Sequence, residues 1–134
     1  MLRVILVAGP QDDQLETVAE ALASTPLGAV YMPRSMMPAA QAIADRHTMR
    51  ATPSDQLYAG ATAIDVVRGL AEHEEGTVAI VAAPSVVREV IVHALDAPVP
   101  PERLALEPGS IAEVEVRTDA PWTVNRINDA CHLA

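Results

Sequence analysis

Short apolar runs alternate with amphipathic patterns along this chain, and this alternation constrains the fold more than any other feature. Residues 4–7, 29–32 and 77–82 are strand-like runs, and apolar residues at helical spacing follow each of them. This order is typical of α/β proteins, in which helices cover the faces of a parallel sheet. Half of the residues are apolar, yet there is no Phe, one Trp and two Tyr, so the core must be aliphatic. We expect a three-layer α/β/α fold with a mostly parallel central sheet.

The last third of the chain departs from this pattern. Residues 111–117 alternate apolar and acidic side chains, which predicts a strand with one exposed face. A Pro-containing turn then leads into residues 122–127, predicted as its antiparallel partner. At 134 residues the chain is long enough to bury a core without disulfides or metals. We therefore expect a single domain covering residues 1–134.

Charge and composition exclude several classes of function. The net charge of −9 argues against a nucleic-acid or anionic-membrane surface, because both require clustered positive charge. Cys131 is the only cysteine, which excludes an internal disulfide and favours a reducing cytoplasm. No apolar run reaches membrane-spanning length, so we expect a soluble, cytoplasmic protein. The four His residues show no metal-ligand spacing, and the sequence suggests neither a metal nor a cofactor.

Three residues are predicted to start helices. Asp13 precedes an apolar stripe and has Glu16 three residues on, the pattern of a capping box. Ser35 is a plausible cap for the next helix. Pro84 follows the run at 77–82, and a Pro at this point favours the first helical position.

The order of these segments resembles the histidine phosphatase (phosphoglycerate mutase-like) superfamily over nearly the whole chain. That family opens with a strand ending in Arg-His-Gly, and here "VILV" is followed by "AGP". A second family segment carries a phosphate-contacting Arg, and "VYMPRSMMPAAQAIA" stands in its place at residues 30–44. A third is a strand ending in Ser-His-Gly-Gly, matched in shape by "VAIVAAPSVVREVI" at residues 78–91. The closing "NRINDACHL" resembles the family's Asn-Asp and His-Leu.

The same resemblance implies that the catalytic residues are missing. It places Gly9 and Ala83 where the family has its two imidazoles, and Ala8 where it has a flanking Arg. The second phosphate-contacting Arg falls on Ser35, or on Arg34 with a different gap. Pro10 stands where the family has Gly, so a backbone N–H donor is also lost. The relic catalytic positions are therefore Ala8, Gly9, Pro10 and Ala83, and no catalytic residue is predicted.

Several side chains near the predicted loops remain candidates for contact with a ligand. Arg34 is the one cation near the predicted pocket, and a solvated surface position is an equal alternative. Asp12 and Ser85 have helix capping as their alternative role, Tyr58 packing on the sheet, and His132 a structural role. The full set of candidate ligand contacts is Gln11, Asp12, Arg34, Ser35, Tyr58, Ser85 and His132.

Two functions follow as hypotheses. In the first, the chain is a catalytically inactive histidine phosphatase-like protein that binds or regulates a protein partner, or forms a homodimer. In the second, the same pocket belongs to a repurposed enzyme of a specialised biosynthetic pathway that acts on a non-phosphorylated ligand. The short segment between the second and third motifs predicts an open, shallow pocket mouth, which favours a binding role.

Overall fold

The computed structural model describes residues 1–100 and 103–133, and a six-stranded sheet lies at its centre. The sheet has the order β3-β2-β4-β1-β5-β6. Its strands are β1 (Leu2–Ala8), β2 (Ala29–Met32), β3 (Thr52–Pro53), β4 (Gly76–Ala82), β5 (Ile111–Val116) and β6 (Thr123–Asp129).

The sheet is parallel on one side of β1 and antiparallel on the other. β1 and β4 pair in parallel from Leu2 with Gly76 to Ala8 with Ala82. β2 pairs in parallel with both β4 and β3. β5 is antiparallel to β1, and β6 is antiparallel to β5. The mostly parallel sheet and the antiparallel pair near the end of the chain are both confirmed.

Four helices cover the two faces of this sheet. They are α1 (Leu15–Ala21), α2 (Met37–Asp45), α3 (Gly60–His73) and α4 (Pro84–Leu95). Ile5 and Val7 of β1 pack with buried residues of α1 and α2, whereas Val4 and Leu6 pack with α3 and α4. Burying each such side chain contributes roughly 1.5–3 kcal/mol to folding. This arrangement is the predicted three-layer α/β/α fold. No helix within the described ranges is long and apolar enough to cross a bilayer.

Two of the predicted helix starts are wrong, because tight 3-10 turns precede the helices. Asp13 lies inside a turn at Asp12–Gln14. It therefore cannot cap α1, which begins at Leu15, directly after the turn, with Gln14 at the cap position. Ser35 likewise lies inside a turn at Arg34–Met36, before α2. Pro84 begins α4 as predicted, with Ala83 at the cap position. Ser85 is therefore the second residue of α4, and the capping alternative considered for it is also wrong.

The predicted exposed face of β5 is also wrong. Glu113 is only 7% exposed, because its carboxylate lies against cations from two other strands. Arg3 Nη2 lies 2.8 Å from Glu113 Oε1, and Arg126 Nη2 lies 3.7 Å from the same oxygen. Asn125 donates to Glu113 Oε2 at 3.0 Å. Burial opposes ionisation of Glu113, but the hydrogen bonds from Arg3 and Asn125 outweigh it and lower the pKa of this carboxyl.

The connections between strands place a crevice at the carboxyl ends of β1 and β4. After β1 the chain crosses to β2 on one side, and after β4 it crosses to β5 on the other. Ligands of open α/β sheets bind at such reversals of strand order. A ligand site in this fold is therefore expected at the loops that follow β1, β2 and β4.

Candidate functional site

The loops after β1 and β2 enclose a small cavity of about 170 Å³. Gly9, Pro10 and Asp12 line it from the first loop, and Ser35 and Met36 from the second. The remaining lining residues are Leu15, Pro38 and Ala39. Six of these eight residues have no polar side-chain group, and Asp12 is the one acidic residue among them.

Met36 occupies the space directly above Gly9. A Cβ added to Gly9 would lie 2.8 Å from Met36 Cε and 3.3 Å from Met36 Sδ. Met36 also packs against the buried core of the α1–α2 face. The thioether thus fills the position from which a side chain of residue 9 would extend into the cavity.

The backbone donors of the first loop are directed to acceptors within the protein. The N–H of Ala8 donates to the Ser110 carbonyl at 3.0 Å, and that of Gly9 to the Ala82 carbonyl at 2.7 Å. Pro10 has no N–H. The N–H of Gln11 donates to its neighbour's side chain, at 2.9 Å from Gln14 Oε1. A phosphate-binding loop needs such N–H groups to point at the anion, and these four positions offer none.

One N–H group of the second loop is also engaged within the protein, and the third loop contains a proline. The N–H of Ser35 donates to the Tyr58 hydroxyl at 3.2 Å. Tyr58 is 52% exposed and reaches across to this loop, so the alternative of packing on the sheet is wrong. Pro84 removes a donor from the third loop, next to Ala83.

Arg34 points away from the cavity. Its side chain is 71% exposed and lies 3.9 Å from Asp55, which is itself 82% exposed. An ion pair this exposed contributes little to stability. The position matches the solvated surface alternative considered for Arg34.

The candidate residues thus separate into two groups. Asp12 and Ser35 line the cavity together with Gly9 and Pro10, while Gln11, Arg34, Tyr58, Ser85 and His132 do not. His132 Nε2 lies 2.8 Å from the Gly109 carbonyl, and the Gly109 N–H donates to the Ala8 carbonyl. His132 therefore stabilises the segment before β5, and the Gly109 N–H connects the same segment to the end of β1. Sequence reasoning assigned no role to Met36, although Met32, Met36 and Met37 lie close together around the second loop, a clustering that favours soft apolar packing.

Shifted pKa values occur elsewhere in the molecule. The groups concerned include Tyr31 on β2 and Glu113 on β5, and neither lines the cavity. Within residues 1–100 and 103–133, no three His, Cys, Asp or Glu side chains gather as a metal site would require.

Comparison with known proteins identifies the fold. No protein-family model matches the chain, and no curated protein sequence does. Among solved structures, YhfR of Bacillus stearothermophilus is similar over 100% of both chains, with a TM-score of 0.84 and 14% identity. A mycobacterial glucosyl-3-phosphoglycerate phosphatase in complex with VO3 has a TM-score of 0.83 at 12% identity, over 95% of this chain and 99% of that one.

A third structure agrees with these two. Phosphoserine phosphatase from Entamoeba histolytica, in complex with 3-phosphoglyceric acid, has a TM-score of 0.82 at 12% identity, over 100% of both chains. The chain is thus an α/β protein with a mostly parallel sheet. Its fold is that of the histidine phosphatases and phosphoglycerate mutases, as the order of the sequence motifs indicated.

Proposed function

We propose that this protein is a catalytically inactive histidine phosphatase-like protein that acts as a binding or regulatory module. A phosphohistidine mechanism needs a nucleophilic imidazole, cations around the transferred phosphoryl group and a proton donor for the leaving group. Among the described residues, no imidazole and no cation lines the cavity, and Asp12 is the one acid–base group there. The single observation that carries the proposal is the position of Met36, whose thioether fills the space into which a side chain at position 9 would extend.

The environment of the cavity also disfavours an anionic ligand. Asp12 places negative charge at its wall, while Arg34 points into solvent. The N–H groups of Ala8, Gly9 and Gln11 already have acceptors within the chain. A phosphate placed here would meet the Asp12 carboxylate and, among the described lining side chains, no cation; the Ser35 hydroxyl is the one side-chain donor.

Size disfavours the repurposed enzyme. Pockets that enclose small-molecule substrates usually measure about 300–1,000 Å³. The cavity between the two loops measures about 170 Å³. A module that acts through its surface, on a protein partner or a second copy of itself in the cytoplasm, agrees better with these dimensions.

A thermal-shift titration with inorganic phosphate and orthovanadate tests the proposal. A ligand that binds only the native state at 100 times its Kd stabilises it by about 2.7 kcal/mol, which raises the Tm by several degrees. We expect no saturable rise in Tm, either for the native chain or for Met36→Ala, in which the cavity is opened. We also expect no turnover of a phosphomonoester such as p-nitrophenyl phosphate. A saturable rise in Tm or measurable turnover would refute the proposal.

A further inference from the structure

A second and larger cavity, of about 570 Å³, lies between α3 and the edge of the sheet formed by β2 and β3. We call it the α3 groove; Tyr31, Pro53, Asp65, Val66, Gly69 and Glu74 are among the residues that line it. Its apolar residues pack with the core of the α3–α4 face, whereas Met36 packs on the other face. The groove is therefore distinct from the cavity above Gly9. Its volume lies within the range usual for small-molecule sites, about 300–1,000 Å³.

The carboxylate of Glu74 lies in the groove, and its hydrogen-bond partner is the uncharged hydroxyl of Tyr31. The Tyr31 hydroxyl donates to Glu74 Oε1 at 3.0 Å. Burial, together with the hydrogen bond to this carboxylate, raises the pKa of Tyr31 to about 12. Within the described ranges Glu74 makes no ion pair, in contrast to Asp65 at the same groove, which lies 3.2 Å from Arg68. In the part of the chain that is described, no Arg lines the groove; His73 is the one basic residue among the lining residues, and it makes no ion pair with Glu74.

Gly69 leaves part of the groove wall without a side chain. It lies in the interior of α3, where Gly is less favourable than Ala by about 1 kcal/mol. A Cβ added at Gly69 would meet no atom within 4 Å. By contrast, a Cβ at Gly60, the first residue of the same helix, would collide with the Glu89 side chain. Internal packing thus requires Gly at position 60 but not at 69, where its effect is to leave the wall of the groove open.

We propose that the α3 groove binds a small organic cation, an ammonium or guanidinium group attached to an apolar body. The cation lies beside Glu74, and the apolar body packs along Val66 and the open surface at Gly69. A small molecule agrees better with the site than an added peptide strand does. The edge strand β3 has two residues, and Pro53 lacks the N–H that a partner strand would need. This inference goes beyond the proposed function, because it concerns a different surface.

A titration followed by amide NMR tests the inference, with 4-phenylbutylamine and 4-phenylbutyrate as probes. The two probes share an apolar body and carry opposite charges at neutral pH. We expect saturable shifts with the amine alone, centred on the amides of Tyr31, Gly69 and Glu74. Shifts that do not saturate, equal responses to both probes, or shifts centred on Gly9 would overturn the inference. So would binding of an Arg-containing peptide without binding of the amine, which would assign the groove to a protein partner.

Substitutions in the groove sharpen the test. Glu74→Gln keeps the size of the side chain and removes its charge, and we expect about tenfold weaker binding of the amine. Gly69→Leu fills the groove and should abolish binding. The matched control is Ala61→Leu, which places the same side chain at an exposed position of α3 outside the groove and should leave affinity unchanged. Unchanged affinity in Glu74→Gln would also overturn the inference, whatever the stability of the Leu variant.

The outcomes remain separable from those for the cavity above Gly9. Vanadate binding would refute catalytic inactivity and leave the groove untouched. Absence of amine binding would refute the groove and leave the inactive cavity as proposed.

Discussion

The side chain of Met36 occupies the space that Gly9 leaves empty: the terminal methyl group of Met36 lies 2.8 Å from the point where a Cβ of residue 9 would stand. The two residues belong to different loops, after β2 and after β1, and they meet at the carboxyl edge of the sheet. Any larger residue at position 9 must displace the thioether. The packing of Met36 in the second loop therefore depends on residue 9 of the first loop being glycine.

An imidazole placed at position 9 should cost stability without creating activity. We expect Gly9→His to destabilise the protein by about 1–3 kcal/mol, because the ring overpacks the space that Met36 fills. In a Met36→Ala background the added cost should be smaller, so a double-mutant cycle measured by urea unfolding should give a coupling energy. An equal loss in both backgrounds would contradict the contact. Neither variant should hydrolyse a phosphomonoester, because neither places a cation beside the new imidazole.

The Glu113 cluster should give stability a dependence on acidic pH. We expect Glu113→Gln to destabilise the protein at pH 7 by about 1–2 kcal/mol, because Arg3 and Arg126 lose a largely buried carboxylate while staying partly hydrated. The pKa of Glu113 is lowered from an ordinary value of 4.5, so its contribution is present above that pH and is lost as pH falls through the lowered pKa. Urea unfolding between pH 3 and 7 should show the two chains converging in acid. The control is Glu16→Gln, which removes an ion pair with Arg46; the Glu16 side chain is 80% exposed, so stability should change by a few tenths of a kcal/mol. A difference between the wild-type and Glu113→Gln chains that persists unchanged at pH 3 would contradict this explanation.

The Tyr31 hydroxyl should resist ionisation in base. In a Tyr58→Phe background Tyr31 is the one phenol, and absorbance at 295 nm reports its state directly. At pH 11 an ordinary phenol with a pKa of about 10 is roughly nine-tenths ionised. Tyr31, with a pKa of about 12, should remain mostly protonated. Because this pKa is raised, the contribution of Tyr31 to the free energy of unfolding should be fully present below pH 10 and should be lost as the pH rises towards 12.

The neighbouring carboxylate provides the control for that measurement. Glu74→Gln removes the charge that disfavours phenolate, so the midpoint should move towards the ordinary value. A midpoint that stays near 12 in Glu74→Gln would assign the whole shift to burial.

The two glycines of α3 should respond oppositely to the same substitution. Gly69→Ala should stabilise the protein by about 0.5–1 kcal/mol, because it adds a good helix former where space is open. Gly60→Ala should destabilise it, because the new methyl group collides with Glu89. Thermal or urea unfolding of the two variants checks both signs, and a gain at position 60 would contradict the described packing of α3 on α4.

His132 should prove structural. His132→Ala removes the hydrogen bond to the Gly109 carbonyl and should cost about 1 kcal/mol. His73→Ala, at an exposed residue, should change stability by less than about 0.5 kcal/mol. Equal effects of the two substitutions on urea unfolding would argue against the assigned contact.

Local patterns in the sequence were sufficient to predict most of the fold. The apolar run at residues 29–32 coincides with β2, and Pro84 begins α4, because a buried strand and a missing N–H are both properties of a few adjacent residues. The short strand β3 escaped prediction because it has only two residues, one of them Pro, and depends on pairing with β2.

Contacts between distant residues account for what the sequence could not predict at the site. The alternation in β5 indicated an exposed Glu113. Its burial could not be predicted, because Arg3 lies 110 residues away in the sequence and leaves no signal near Glu113. Met36 above Gly9 joins two loops in the same way. The 3-10 turn that holds Asp13 depends on how the chain leaves β1, which capping preferences do not describe.

The hydrogen bond from Gly9 to Ala82 extends the pairing of β1 and β4 one residue beyond the strand itself. An amide in a loop ordinarily exchanges its hydrogen with solvent quickly, through small local openings. The Gly9 amide should instead exchange as slowly as its neighbours in β1, because it can open only when the sheet separates. The first residue of the loop after β1 should therefore move with the central strands, and any rearrangement of this loop would have to begin beyond Gly9.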